Sequence, residues 1–171
     1  MTSPYTGAWD IERTSVRVVL LDANDHVLLF RTIDPVMPST GEWWELPGGG
    51  VEAGETSADT AVREMFEETG FVLSPGEVSA PTWRRDATYL RRGLRYLQHE
   101  VVVRARLDAL APPPSADHRT PTERLEYTGH RWWPVAELEA SADRFFPGRL
   151  PELIAAFLAG ERIDEPFDHW N

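Results

Sequence analysis

Three consecutive glycines followed by a crowd of acids constrain this chain more than any other feature. They are Gly48-Gly49-Gly50, preceded by Pro47, and then Glu64, Glu67 and Glu68. A glycine run reaches backbone conformations closed to other residues and lets the chain approach a ligand closely. Gly54 permits a second turn, after which Thr56 or Ser57 can cap a helix. From Ser57 to Thr69, residues Ala58, Ala61, Val62, Met65 and Thr69 recur at helical spacing, which predicts an amphipathic helix with those residues inward. At about 100° per residue the three glutamates gather on another face, where like charges destabilise the helix. Arg63, one turn before Glu67, can pair with one of them but cannot neutralise three. A divalent cation can, and hard oxygen ligands suit Mg²⁺ or Mn²⁺. The expected unit is a strand, a glycine loop and an acidic helix that together hold metal against a phosphate.

The spacing is fixed throughout: Gly49, five residues, Glu55, seven residues, then Arg63-Glu64-Met65-Phe66-Glu67-Glu68-Thr69-Gly70-Phe71. This resembles the complete box of the Nudix hydrolases, GX5EX7REUXEEXGU, with Met65 and Phe71 at the bulky apolar positions. Trp44 before Leu46-Pro47-Gly48-Gly49, and a late tryptophan-rich strand, extend the likeness loosely over most of the chain. The resemblance implies an α/β/α sandwich (an α+β fold), with a mixed β-sheet held between helices. The box helix would lie on one face and a C-terminal helix on the other. It also implies a metal-dependent pyrophosphohydrolase that cleaves a nucleoside diphosphate linked to another group. The alternative is a nucleotide sensor that uses the same cleft without turnover.

On that reading Glu64, Glu67 and Glu68 are metal ligands, directly or through water, joined by the Gly48 carbonyl. Glu55 pairs with Arg63 and holds the loop against the helix. The general base is a box glutamate or a carboxylate from elsewhere, and Glu100, Glu123 and Glu126 are the outside candidates. Glu126 is favoured because loop glutamates serve in relatives. Arg31, Trp43, Gly49 and Tyr89 are the candidate substrate-binding residues. Tyr89 lies eighteen residues past Phe71, a spacing that resembles the dinucleoside polyphosphate hydrolases of the family. Isopentenyl diphosphate isomerase, a different chemistry on a related fold, needs a cysteine that this chain lacks.

At 171 residues the chain suits one domain, with residues 1–13 as an arm and 161–171 as a loosely held tail. Its net charge of −11 argues against a broad nucleic-acid surface, which needs a basic patch. An anionic small-molecule substrate must therefore be met by metal and local arginines. There is no cysteine, so no disulfide or thiolate site is available. No apolar segment is long enough to span a membrane and the start has no signal-type apolar region, so the expected setting is cytoplasmic. The resemblance also allows a homodimer.

Thr14–Leu21 and Val27–Arg31 predict strands joined by a turn at residues 22–25, with Arg17 and Arg31 either pointing into a substrate cleft or, the favoured reading, exposed on the surface. Further β-prone segments are Val78–Arg85, Thr88–Leu90, Arg95–Leu107 and Gly129–Pro134, and Arg91-Arg92-Gly93 can turn a hairpin. Residues 111–122 are proline-rich and predict a mobile loop. Helices are expected to begin at Val135 and to run from Pro151 to Ala159.

Overall fold

The computed structural model describes residues 8–170. Its centre is a parallel pair, β1 (Ile11–Leu21) beside β6 (Leu94–Arg106), in register from Ile11 opposite Tyr96 to Leu21 opposite Arg106. β6 is also the second arm of a hairpin with β5 (Trp83–Arg91). The turn is Arg92-Gly93, both at positive φ, as a two-residue hairpin loop requires. On the other side β1 meets β2 (Val27–Ile33), which carries β3 (Glu42–Glu45) and β7 (Tyr127–Trp133). β4 (Gly48–Gly50) pairs with β1, and β8 (Phe145–Phe146) with β3. The sheet is thus mixed, as expected.

Period-two alternation along β1 divides the core between two faces. Val16, Val18 and Leu20 join Leu28 and Phe30 against Ala61 and Met65 of α1 (Ser57–Thr69). Val19 and Leu21 join Val27 and Leu29 on the opposite face. There they meet Leu138 of α3 (Val135–Ala140) and Leu150, Ile154 and Phe157 of α4 (Leu150–Leu158). Burying each such side chain stabilises by roughly 1.5–3 kcal/mol, so two apolar layers fix the helices to the sheet. α1 is capped at its start by Thr56, whose hydroxyl accepts from the Asp59 amide, and at its end by Gly70 in the left-handed conformation. Among the described residues no helix is long and apolar enough to cross a membrane.

The structure corrects several expectations. Residues 11–13 are part of β1, not of an arm; residues 1–7 lie outside the described chain. The tail is not loose. Ile163–Asp164 (β9) and Asp168–His169 (β10) both pair with β5, and Glu165 and Asp168 reach buried Arg85. Val78–Arg85 and Thr88–Leu90 are not separate strands; β5 runs unbroken from Trp83.

Arg17 is buried, not exposed. Its Nε donates to Glu100 at 2.9 Å and its Nη1 to Glu45 at 2.8 Å. Burial pulls its pKa down, but the Glu45 and Glu100 carboxylates outweigh that and hold it well above the ordinary value. Residues 111–120 are pinned along α1: the Ser115 amide donates to the Thr69 carbonyl at 2.7 Å. They lead into a helix the proline-rich composition concealed, α2 (Pro121–Glu126).

Candidate active site

The glycine loop is glycine because a carboxylate occupies the space a side chain would need. A Cβ on Gly49 would overlap the Glu64 carboxyl group, and one on Gly48, at φ 138°, would overlap the Val16 carbonyl on β1. With no side chains between them, loop and helix meet directly, and the Gly48 amide donates to Glu68 Oε2 at 2.9 Å. Glu64 and Glu68 stand four residues apart on the face of α1 turned toward β4, and both are buried.

A third acid comes from α2. Thr120 caps that helix in a reciprocal box in which the Thr120 amide donates a hydrogen bond to the Glu123 carboxylate at 2.8 Å. The box fixes Glu123 at the first turn, and one oxygen from each of Glu64, Glu68 and Glu123 lies within 4.8 Å of the others. Burial raises the Glu64 pKa. Burial, and then the charge of Glu64, raises that of Glu68 well above the ordinary range. Crowded, half-compensated carboxyl oxygens form the hard donor set that a divalent cation stabilises. The residues present therefore fit such an ion.

Arg63 ties the two halves of the site together. Its Nε donates to Glu55 at 2.6 Å, its Nη1 to Glu64 at 2.8 Å, and its Nη2 to the Gly50 carbonyl at 2.8 Å. Glu67 stays at the rim, 3.4 Å from the same guanidinium and outside the convergent trio. The Arg63 hydrogen bonds lower Glu55 to a pKa of about 2, against some resistance from burial. That depression stabilises the fold fully above the unfolded-state value of 4.5, and the contribution is lost as pH falls through about 2. Glu55→Gln should therefore lower the thermal midpoint at pH 7 and narrow its gap from the parent protein between pH 4.5 and 2. A gap that stayed constant across that acid range would sever Glu55 from the loop-holding role.

Tyr127, which the sequence analysis did not single out, donates its hydroxyl to Glu68 and stacks on Phe30 at 4.5 Å. Burial, then Glu68, pushes its pKa well up, so it stays a donor. Arg119 lies over both rings, at 4.9 and 5.3 Å, and donates to the Glu68 carbonyl at 2.8 Å. The one local signal for α2 was present: Thr120-Pro121-Thr122-Glu123 is a capping box with proline at the first helical position.

Glu126 lines the same cleft, but its carboxylate is held by Arg91 Nη2 at 2.9 Å and Arg92 Nε at 2.6 Å. Glu100 is deeper still, between Arg17 and Arg85. The charges form one alternating chain: Glu165, Arg85, Glu100, Arg17, Glu45, Arg91, Glu126 and Arg92, linking the C-terminal segment to the cleft.

Of the four candidate substrate contacts, Gly49 abuts the carboxylates, whereas Trp43 and Tyr89 line a neighbouring aromatic cavity. Arg31 lines neither and pairs with Glu42 on the exposed side of β2. Trp44 packs edge-on against Trp133 at 5.2 Å.

Comparison with known proteins agrees with this geometry. An RNA pyrophosphohydrolase of Dinoroseobacter shibae is 39% identical over 70 residues, 41% of each chain. A putative 8-oxo-dGTP diphosphatase of Bacillus subtilis is 39% identical over 54 residues, 32% of each chain. The chain thus spans about two fifths or less of the length of these curated relatives. Among solved structures, a MutT protein from Methanosarcina mazei superposes with a TM-score of 0.57 at 17% identity, covering 87% of this chain and 94% of that one. An Ap4A hydrolase of C. elegans gives 0.55 at 19% identity, covering 86% and 98%. These likenesses show the fold. The NUDIX domain model matches residues 12–156, from the start of β1 into α4. Since that match takes in the whole glycine loop and acidic helix as well as the sheet that presents them, the chain belongs to the NUDIX domain family.

Proposed function

We propose that this chain is a metal-dependent pyrophosphohydrolase acting on a small nucleotide, a nucleoside diphosphate linked to another group. The observation that carries the reading is the convergence of Glu64, Glu68 and Glu123 beside a glycine loop that can approach phosphate. The names of the curated relatives, RNA pyrophosphohydrolase and 8-oxo-dGTP diphosphatase, describe the same bond class.

The three carboxylates would hold Mg²⁺ or Mn²⁺, with Glu67 and the Gly48 carbonyl at the edge of the site. Such an ion, when bound, polarises a phosphoryl group and lowers the pKa of attached water. The chain's own groups do the rest. Arg63 keeps Glu64 aimed into the cleft and Glu55 locked to the loop. Tyr127 and the Gly48 amide orient the two Glu68 oxygens. Arg91 and Arg92, on the cleft wall, supply positive charge near a substrate phosphate in an otherwise acidic chain. Glu126 fixes those two guanidiniums.

The test is a hydrolysis screen with Mg²⁺ or Mn²⁺ over nucleoside triphosphates, nucleotide sugars, dinucleoside polyphosphates and a 5′-triphosphorylated oligoribonucleotide. The expected result is release of a nucleoside monophosphate or a phosphorylated remainder from one of the small substrates. Tight nucleotide binding with no turnover on any substrate would instead favour a sensor that uses the same cleft.

A further inference from the structure

Beyond Glu45 and Arg91, which line both spaces, the metal cleft opens toward a second cavity of about 230 Å³. That is just below the roughly 300–1,000 Å³ of sites for whole drug-sized ligands, so it suits one ring system and not a complete nucleotide. Its walls are aromatic. Trp43 and Phe146 present their rings, and Trp170 stands edge-on to each at 5.1 Å. Trp170 reaches this position because the C-terminal segment pairs with β5. Its amide donates to the Thr88 carbonyl at 3.0 Å and its Nε1 to the Phe145 carbonyl at 2.7 Å.

Two guanidiniums face this apolar space. Arg144 lies over Trp170 at 4.1 Å and donates to the Thr40 carbonyl, yet no carboxylate pairs with it among the described residues. Arg91 has its outer nitrogens engaged by Glu45 and Glu126, but its buried Nε has no acceptor. An unpaired buried donor is costly, and a ligand that carries acceptor atoms removes the cost.

Resting on the hydrolase reading above, we propose that this cavity receives the planar heteroaromatic base of the substrate, and that the C-terminal segment, through Trp170, completes it. The base would lie among Trp43, Phe146 and Trp170 with its acceptor atoms toward Arg144 and Arg91, while its phosphates extend past Glu45 to the carboxylates. The tail is then a specificity element, which explains why its acids are tied to Arg85 inside the sheet.

Calorimetric titration with adenosine and guanosine 5′-monophosphates against ribose 5-phosphate, at one Mg²⁺ concentration, tests this directly. Base–aromatic stacking alone predicts a preference of about tenfold or more for the nucleotides. Arg144→Gln and Trp170→Ala should bring that ratio toward one while leaving ribose 5-phosphate affinity in place, and Trp170→Phe should retain most of it. If Trp170→Ala fails to fold, Arg144→Gln decides alone. A parent protein that binds ribose 5-phosphate as tightly as a nucleotide overturns the proposal, as does an unchanged ratio in folded Arg144→Gln. A 5′-triphosphorylated oligoribonucleotide distinguishes a base at an RNA end from one on a free nucleotide. Because the readout is binding, a ring preference without turnover would sink the hydrolase reading and leave the pocket standing; turnover without a ring preference would do the reverse.

Discussion

Glu68→Gln lowers turnover by about 10²–10³-fold, the scale of losing electrostatic assistance to a charged transition state. The fold should survive, because the amide oxygen can still accept from Gly48 and because the substitution removes a buried carboxyl group crowded by Glu64. In metal-free buffer the thermal midpoint is therefore expected to hold or rise. Divalent ion at about 100 times its dissociation constant should stabilise the parent protein by about 2.7 kcal/mol, or roughly 5–10 °C for a chain of this size. The variant should lose most of that shift. Turnover unchanged, or an equal metal-induced shift in both proteins, would remove Glu68 from the site.

Arg17→Met has the largest expected effect on stability. The side chain is of similar length, but its loss leaves the buried Glu45 and Glu100 carboxylates with one cation fewer. Breaking a buried pair from one side typically costs about 3–5 kcal/mol, here about 10 °C in the unfolding midpoint. The same change should loosen Arg91, which shares Glu45, and through it the hold on Glu126. A loss below about 1 kcal/mol is what a solvated surface pair would give, and it would contradict the buried chain of charges. Thermal unfolding of the two proteins at pH 7 decides between these outcomes.

The glycine loop, the acidic helix and the Arg63–Glu55 tie were legible because their chemistry is local. Residues within one loop and one helix carry it, at spacings the backbone fixes. Individual strands were legible in outline from β-branched runs, while their mixed arrangement was implied only by the resemblance to the Nudix hydrolases. Arg17 was not, because an arginine in a strand reads as exposed until Glu45 and Glu100, far away in sequence, are brought to it. The tail misled for the same reason: Glu165 and Asp168 look solvated by composition, yet Arg85 recruits both. Glu123 and Glu126 lie one helical turn apart, and periodicity alone could not separate them. The capping bond at Thr120 turns one toward the other acids, while Arg91 and Arg92 bind the other.

The most direct measurement is Mn²⁺ uptake followed by electron paramagnetic resonance of the free ion, for the parent protein and for Glu64→Gln/Glu68→Gln. The expected result is at least one ion bound by the parent and an affinity about 100-fold or more weaker in the double variant, beyond the 10–100-fold typical of losing a partner outside the ligand shell. Equal uptake by the two proteins would contradict the claim that these buried carboxylates exist to hold a cation.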